Sequence, residues 1–199
     1  MLGYTIVSHG LSYSDKEKVK DFAKRYNLVY EEEFTENNKS LTKYILILKH
    51  QDWWVERSIK YYFGLAWNAW IVGMEWIRDC ERVNRCILPE GYEIKGDRQT
   101  KKEGIPKSSR TSSKRKGGLF KNIMFIYKDT EYTGMSVGRL SSLLNRCGAI
   151  HDTTSNSCNF RSFHVVEKLY PRLENDQITV NNLLDHICKW KPILLSVCL

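Results

Sequence analysis

The stretch at residues 56–80, ERSIKYYFGLAWNAWIVGMEWIRDC, carries the pattern that decides the fold. Its beginning has the apolar spacing of a helix over 56–66, and its middle, AWIVG, is the short apolar run of a buried strand. Its end predicts a second helix over 74–83. Two cations, Arg57 and Lys60, stand one turn apart at the start of the first helix, on one predicted helical face. A segment otherwise suited to a hydrophobic core therefore needs a separate reason for presenting two positive charges.

The residues before this stretch continue the alternation of strands and helices. YTIVS at 4–8 and TKYILILK at 42–49 are predicted strands, and the segment at 14–26 between them predicts a helix. Ser14 and Glu17 have the spacing of a capping box at the start of that helix. Strands separated by helices predict an α/β fold with a parallel sheet covered on both faces.

A second series of elements follows towards the carboxyl terminus. NIMFIY, SFHVVE and QITV are predicted strands, and the segment at 136–148 predicts a helix that ends before Gly148. NNLLDHICKW predicts a closing helix over 181–190. The second series is thinner than the first, since no full-length helix is predicted between Cys158 and Gln177.

A basic segment separates the two series. DRQTKKEGIPKSSRTSSKRKGG, at 97–118, is rich in Ser, Lys, Arg and Gly and has almost no apolar residues, so it cannot offset its ordering entropy by burial. We therefore predict a first domain over 1–97, a flexible basic linker over 98–118 and a second domain over 119–199. The KRK within the linker could act as a nuclear import signal or a nucleic-acid contact, and a solvated linker is the plain alternative.

Charge favours an anionic partner. The net charge is +8 and the pI is about 9.1, which is typical of proteins that bind nucleic acid, phosphopeptides or acidic proteins. The positive excess is concentrated between Arg98 and Lys121, where Glu103 is the single acid. No apolar window is long enough to cross a bilayer and the amino terminus lacks the layout of a secretion signal, so we expect a soluble, intracellular protein without membrane contact.

The sequence lacks motifs for catalysis or metal binding. The six cysteines form no C-x-x-C pair, and the histidines show no H-x₃-H spacing, so reduced and mostly buried thiols are expected, with no metal and no cofactor. P-loop, G-x-S-x-G and H-E-x-x-H motifs are all absent. The sequence predicts a binding module and not an enzyme.

Several motifs resemble the tandem BRCT repeats of DNA-damage proteins. IVSHGL at 6–11, GLAWNAWIV followed by EWI, ILPEGYEIKGD and LNRCGA match the BRCT pattern, with Trp76 as its core tryptophan. The likeness is closest to the C-terminal BRCT pair of the breast-cancer susceptibility ubiquitin ligase family. The resemblance implies two repeats, each a small parallel four-stranded sheet flanked by helices, packed together through an inter-repeat helical interface.

The resemblance also implies a site for phosphoserine and for an aromatic residue three positions later. Lys60 matches the phosphate-binding lysine, and Gly10 matches the glycine whose backbone amide binds the phosphate. Arg57 matches the arginine that contacts the peptide backbone. The remaining matches would build the aromatic pocket and orient this arginine; they are Tyr62, Met135, Leu184 and Asp185.

Two positions depart from the family pattern. The family has Ser or Thr before the glycine, whereas alignment on Gly10 places His9 there and alignment on Ser8 requires a one-residue insertion. A histidine could donate an N–H to phosphate or block the pocket. In the closing helix, Asn181 and Asn182 stand where the family has an acid and a tryptophan.

The function that the resemblance implies is phosphopeptide binding in a nuclear DNA-damage response, with recruitment of phosphorylated DNA-repair proteins. The parent protein would be a RING-type ubiquitin ligase, with its catalytic domain and RING heterodimer partner outside this chain. One alternative is a module that binds chromatin or DNA through the basic linker. Another is a protein scaffold with an inactive phosphate pocket.

Overall fold

A computed structural model describes residues 3–35, 43–116, 118–127, 131–132, 134–150, 160–167 and 176–193, without the side chains of 112–116 and 131. The chain divides into two compact units, Met1–Arg110 and Thr111–Leu199. The predicted boundaries at 97/98 and 118/119 stay predictions. Among the helices of the described ranges, none combines the length and the apolar character needed to cross a membrane.

The first unit is built on a four-stranded parallel sheet, as predicted. The strand order is β2-β1-β3-β5, and the shorter β4 and β6 form a separate parallel pair. The elements up to the unit boundary are β1 (Tyr4–His9), α1 (Tyr13–Arg25), β2 (Val29–Glu31), β3 (Lys43–Leu48), β4 (Trp54–Val55), α2 (Ile59–Ala66), β5 (Trp70–Val72), α3 (Glu75–Arg82) and β6 (Gly96–Asp97). Sequence analysis missed β2, β4 and β6, which are too short for apolar periodicity to show.

Trp76 lies at the centre of the core on one face of this sheet. Its side chain is fully buried, its ring meets that of Phe22 edge-on at 5.2 Å between centroids, and its indole N–H donates to the carbonyl of Ile87. Ile6 and Ile45, from the two central strands of the sheet, belong to the same buried hydrophobic cluster as Trp76. The predicted role of Trp76 as a core residue is confirmed.

Helix α1 starts two residues earlier than the predicted capping box. Ser12, and not Ser14, is the N-cap residue, because its backbone is extended and its hydroxyl accepts the N–H of Asp15 at 3.1 Å. The helix packs its apolar face into the core, where Val19, Phe22 and Ala23 are buried. The periodicity identified the helix, whereas two nearby serines left its first residue ambiguous.

Helix α2 starts later than predicted. Ser58 is the N-cap residue and accepts the N–H of Tyr61 at 3.2 Å, so the helix begins at Ile59 and Arg57 precedes it. Gly64 within this helix allows close approach to the sheet, because a Cβ there would lie 2.6 Å from Cδ2 of Leu46.

Residues 98–118 contain a helix where the sequence predicts a flexible linker. Helix α4 (Ile105–Lys116) is held to the first unit through its amino-terminal half. Ile105 is buried, and the guanidinium of Arg110 pairs with both carboxylate oxygens of Glu93 and lies 3.4 Å from the Trp70 ring centroid. Composition indicated disorder because these anchors are few and lie far apart in sequence.

The second unit contains a smaller parallel sheet, with strand order β11-β10-β7. Ile150 forms a further parallel bridge with Met124 of β7, and residues 151–159 and 168–175 lie outside the described residues. The predicted gap in helix between Cys158 and Gln177 falls largely on those ranges. The elements are β7 (Ile123–Tyr127), β8 (Glu131–Tyr132), β9 (Met135–Ser136), α5 (Val137–Arg146), β10 (Arg161–Val166), β11 (Gln177–Thr179) and α6 (Val180–Lys189).

Candidate functional site

The carboxyl end of β1 presents consecutive residues with different environments. Strand alternation turns the Ser8 side chain inward, where its hydroxyl lies 3.0 Å from the hydroxyl of Tyr30, and leaves His9 exposed. Gly10 follows with a φ of +72°, a left-handed conformation that favours glycine. The edge at the carboxyl ends of parallel strands is the usual place for ligand sites in α/β folds.

Lys60 reaches this end of β1 from the first turn of α2. Its ammonium donates to the carbonyl of Ser8 at 3.3 Å and to the carbonyl of Glu32 at 2.5 Å, and it lies 3.5 Å from a carboxylate oxygen of Glu33. The side chain is only 14% exposed. A buried lysine stem therefore brings a positive charge to the loop that contains His9 and Gly10.

The position of Lys60 is unfavourable for the helix itself. A cation in the first helical turn opposes the helix dipole, which costs about 0.3–1 kcal/mol at exposed sites, and the first turn of α2 has no acid. The acceptors from β1 and from the segment after β2 offset this cost. The arrangement holds an ammonium at the end of β1, where its charge can pair with an anion.

The charges of Lys60 and Glu33 also act on the pKa of His9. Partial burial, followed by the repulsion of the Lys60 ammonium, holds the pKa of His9 below its usual value, and Glu33 opposes this shift. The imidazole is therefore driven towards its neutral form. A bound anion would reverse the balance, because it adds negative charge beside the ring.

Arg57 is held by a different group from Lys60. Its Nε–H donates to Asp97 of β6 at 2.9 Å, and the Asp97 carboxylate is fully buried. The same carboxylate accepts the backbone N–H groups of Gln99 and Thr100 and the hydroxyl of Thr100. Arg57 is thus fixed through a fully hydrogen-bonded buried acid.

The prediction that Arg57 and Lys60 share one helical face is wrong. Arg57 precedes the N-cap residue Ser58 and lies outside the helix, whereas Lys60 is in its first turn. The i, i+3 geometry needs both residues to be helical. Each cation instead owes its position to its own tertiary partners.

The remaining predicted residues fall in both units. Tyr62, on α2, is 9% exposed. Met135 and Leu184 are buried in the second unit, and Asp185 of α6 accepts from Lys189 at 3.1 Å. Their predicted roles in an aromatic pocket stay predictions.

The cysteines of the described residues agree with the expectation of mostly buried side chains. Cys80, Cys147 and Cys188 are buried, Cys86 is half-buried, and all four are free; burial raises the pKa of Cys147. Cys158 and Cys198 lie outside the described residues. In the described part of the chain, no group of three or more His, Cys, Asp or Glu side chains is arranged to hold a metal ion.

Sequence analysis missed three acids of this region: Glu32 and Glu33, which follow β2, and Asp97. The run EEE at 31–33 offered a signal, because consecutive acids near a predicted cationic site can pair with it. The sequence around Asp97 contained a second signal: an Asp followed three residues later by Thr, here Thr100, often accepts local backbone N–H groups.

Sequence comparisons agree with this architecture. Residues 1–81 match the family model described as the BRCA1 C Terminus (BRCT) domain. The chain is similar to the breast cancer type 1 susceptibility protein homologs of Mus musculus and Rattus norvegicus, with 30% and 29% identity over 146 residues, or 73% of this chain. It spans only 8% of the length of each of these relatives.

Comparison with solved structures extends the likeness to both units. The BRCT5-BRCT6 domains of S. pombe Brc1 superpose with a TM-score of 0.60 at 13% identity, over 95% of this chain and 93% of that one. A structure of Rtt107p in complex with a phosphorylated histone superposes with a TM-score of 0.57 at 16% identity, over 98% and 90% of the two chains. Residues 1–81 thus match the BRCT domain in sequence, and the chain has the fold of a tandem BRCT pair over nearly its whole length.

Proposed function

We propose that this tandem BRCT module binds phosphoserine peptides. The observation that carries the proposal is the placement of the Lys60 ammonium at the end of β1, beside His9 and the left-handed Gly10. The tandem BRCT fold gives further support, since the similar structure of Rtt107p was determined with a phosphorylated histone.

The proposed phosphate ligands combine charge with directed donors. A phosphoserine dianion has three strong acceptor oxygens, which the Lys60 ammonium, the Gly10 amide and a ring N–H of His9 would satisfy. The Ser8 hydroxyl already faces Tyr30, so the geometry favours the alignment that puts His9, and not Ser8, in the donor position.

The peptide specificity we propose is an aromatic residue, Phe, three positions after the phosphoserine. By family resemblance, Arg57 would bind the peptide backbone, and the aromatic ring would be accepted by Tyr62, Met135 and Leu184, with Asp185 orienting Arg57. A buried ring adds apolar contact area that a phosphate cannot supply. Asp97 supports this role because it already holds the Arg57 guanidinium in place.

The proposed biological role follows from the relatives. We infer a nuclear protein of the DNA-damage response that recruits phosphorylated repair proteins. A parent ubiquitin ligase with a RING domain and a RING partner is part of the same proposal and rests on the family resemblance alone.

Calorimetry with matched peptides tests the binding function. We expect micromolar or tighter affinity for pSer-x-x-Phe, with large losses for Ser-x-x-Phe and for pSer-x-x-Ala. Equal affinity for the phosphorylated and unphosphorylated peptides would reject the phosphate site, and equal affinity for pSer-x-x-Phe and pSer-x-x-Ala would reject the aromatic pocket alone.

Salt dependence separates this function from nucleic-acid binding. The exposed lysines of the basic segment, Lys101, Lys102 and Lys107, are the observation that favours DNA or chromatin as an alternative partner. Contacts to many backbone phosphates would give a steep loss of log affinity with log salt, whereas one phosphoserine gives a shallow slope. Titrations of peptide and of duplex DNA at two salt concentrations make the comparison.

We predict that phosphopeptide affinity rises as pH falls from 7.5 towards 6.5. The pKa of His9 is lowered in the free protein and should rise beside a bound dianion, so binding takes up a proton and is favoured at lower pH. The gain should stay below the tenfold per pH unit that full uptake of one proton gives. Near pH 6 the trend reverses as the phosphate itself is protonated.

A His9→Gln variant is the control for this pH dependence. It should bind with a flatter pH profile between 7.5 and 6.5, measured by calorimetry in two buffers of different ionisation enthalpy. An unchanged profile would show that His9 does not exchange a proton with the bound state.

A further inference from the structure

The acidic run after β2 places an anion of the chain itself at the candidate phosphate site. The carboxylate of Glu33 lies 3.5 Å from the Lys60 ammonium, and the carbonyl of Glu32 accepts a hydrogen bond from the same ammonium. The carboxylate of Glu32 turns elsewhere, to Lys16 at 2.8 Å. Glu32 thus gives Lys60 a backbone acceptor and only a longer-range charge interaction, whereas the Glu33 carboxylate pairs with the ammonium directly.

The three contacts of Lys60 differ in how easily they can be exchanged. An ammonium has three N–H donors, and two of them go to the carbonyls of Ser8 and Glu32, which are parts of the backbone. The Glu33 side chain is 51% exposed and can rotate into water without moving the strand. The Glu33 carboxylate is therefore the contact that an incoming phosphate would replace.

The segment that carries Glu33 is anchored on the protein. The ring of the next residue, Phe34, lies 5.0 Å from that of Tyr44 and 5.9 Å from that of Trp67, between centroids. The hydroxyl of Thr35 donates back to the carboxylate of Glu31 at 3.2 Å. These contacts hold the Glu33 backbone beside the site, so the carboxylate has a high effective concentration there.

We propose that Glu33 is an internal competitor for the phosphate site. This inference rests on the proposed phosphopeptide function. In the free protein the Glu33 carboxylate pairs with the Lys60 ammonium. A phosphoserine dianion binds by displacing this carboxylate into solvent. The apparent affinity of any anion is then reduced by the fraction of molecules in which the site is vacant.

The test compares three variants of the acidic run with two probes, a phosphoserine peptide and inorganic phosphate. Glu33→Gln removes the competing charge, and Glu33→Asp keeps the charge but shortens its reach. Glu32→Gln is the matched control, because it removes the neighbouring charge that pairs with Lys16. Affinities are measured by calorimetry at low ionic strength, together with the NMR shift of the Gly10 amide.

We expect Glu33→Gln to bind both probes about two- to fivefold more tightly, the effect of one partly exposed ion pair. Glu33→Asp should show most of this gain, whereas Glu32→Gln should stay within about 1.5-fold of the unmodified protein. If Glu33 acted only through long-range repulsion, Glu33→Asp would bind the probes with the affinity of the unmodified protein. Glu32→Gln would then bind them as tightly as Glu33→Gln does. That pair of results would reject Glu33 as a direct competitor.

The outcomes separate this inference from the function on which it rests. Phosphopeptide binding by the unmodified protein with unchanged or weaker binding by Glu33→Gln would reject the competitor and keep the binding function. Absence of phosphopeptide binding in both proteins would reject the binding function. Binding by Glu33→Gln alone would support both, with Glu33 as a strong competitor.

Discussion

Replacing Lys60 by Met should weaken phosphopeptide binding by about 10- to 100-fold. A hydrogen bond to a charged group contributes about 1.5–3 kcal/mol, and Lys60 is the proposed charged donor to the phosphate. Met retains the buried length of the lysine stem, so the packing of this 14% exposed side chain is largely kept. Calorimetry with the pSer-x-x-Phe peptide measures the loss, and circular dichroism with thermal denaturation checks the fold.

Lys20→Met is the matched control for this variant. Lys20 lies on α1 and pairs with Glu17 at the surface, so it shares the residue type without the contacts at the end of β1. We expect its peptide affinity to match that of the unmodified protein. If Lys60→Met were to fold and bind the peptide as tightly as Lys20→Met, the phosphate would have to lie elsewhere.

Replacing Asp97 by Ala should cost about 3 kcal/mol of unfolding free energy. The carboxylate is fully buried and accepts from Arg57, from two backbone N–H groups and from a hydroxyl, so its removal leaves a mostly buried guanidinium without this acid. Breaking a buried ion pair in this way typically costs about 3–5 kcal/mol. Urea denaturation followed by tryptophan fluorescence measures the change.

Asp97→Asn and Asp21→Ala complete this series. The amide of Asn keeps one acceptor oxygen for Arg57, so Asp97→Asn should lose less stability than Asp97→Ala, and Asp21→Ala on the exposed side of α1 should lose almost none. Where Asp97→Asn remains folded, its peptide affinity should still fall, because Arg57 is less firmly oriented. A stability of Asp97→Ala equal to that of Asp21→Ala would show that the buried pair does not hold this part of the fold.

The two cations show how far sequence reasoning reached. The pattern around Lys60 and its family resemblance identified the residue, and the structure places it at the end of β1. The partner of Arg57 was assigned only by resemblance, to Asp185, whereas within the first unit the structure pairs Arg57 with Asp97. Ser58 caps α2 after Arg57, so Arg57 lies outside the helix, where its guanidinium pairs with Asp97 of β6. The assignment of Asp185 stays a prediction.

In the basic segment, by contrast, the sequence did not indicate the helix that the structure contains. Its composition predicted a flexible linker, and only the contacts of Arg110 with Glu93 and Trp70 reveal why a helix forms there. These contacts join residues 17 positions or more apart, which no local pattern records.

The sequence by itself determined the order of the main strands and helices and the apolar faces that form the cores. The anion site at Lys60 came from family resemblance and stays a prediction. Periodicity and capping are local properties, so they can be found within a few residues. The tertiary structure alone decided which acceptors surround each charge: Glu32 and Glu33 at Lys60, and Asp97 at Arg57. Those partners are 27 to 40 positions away and meet only because the sheet order and register bring their strands and loops together.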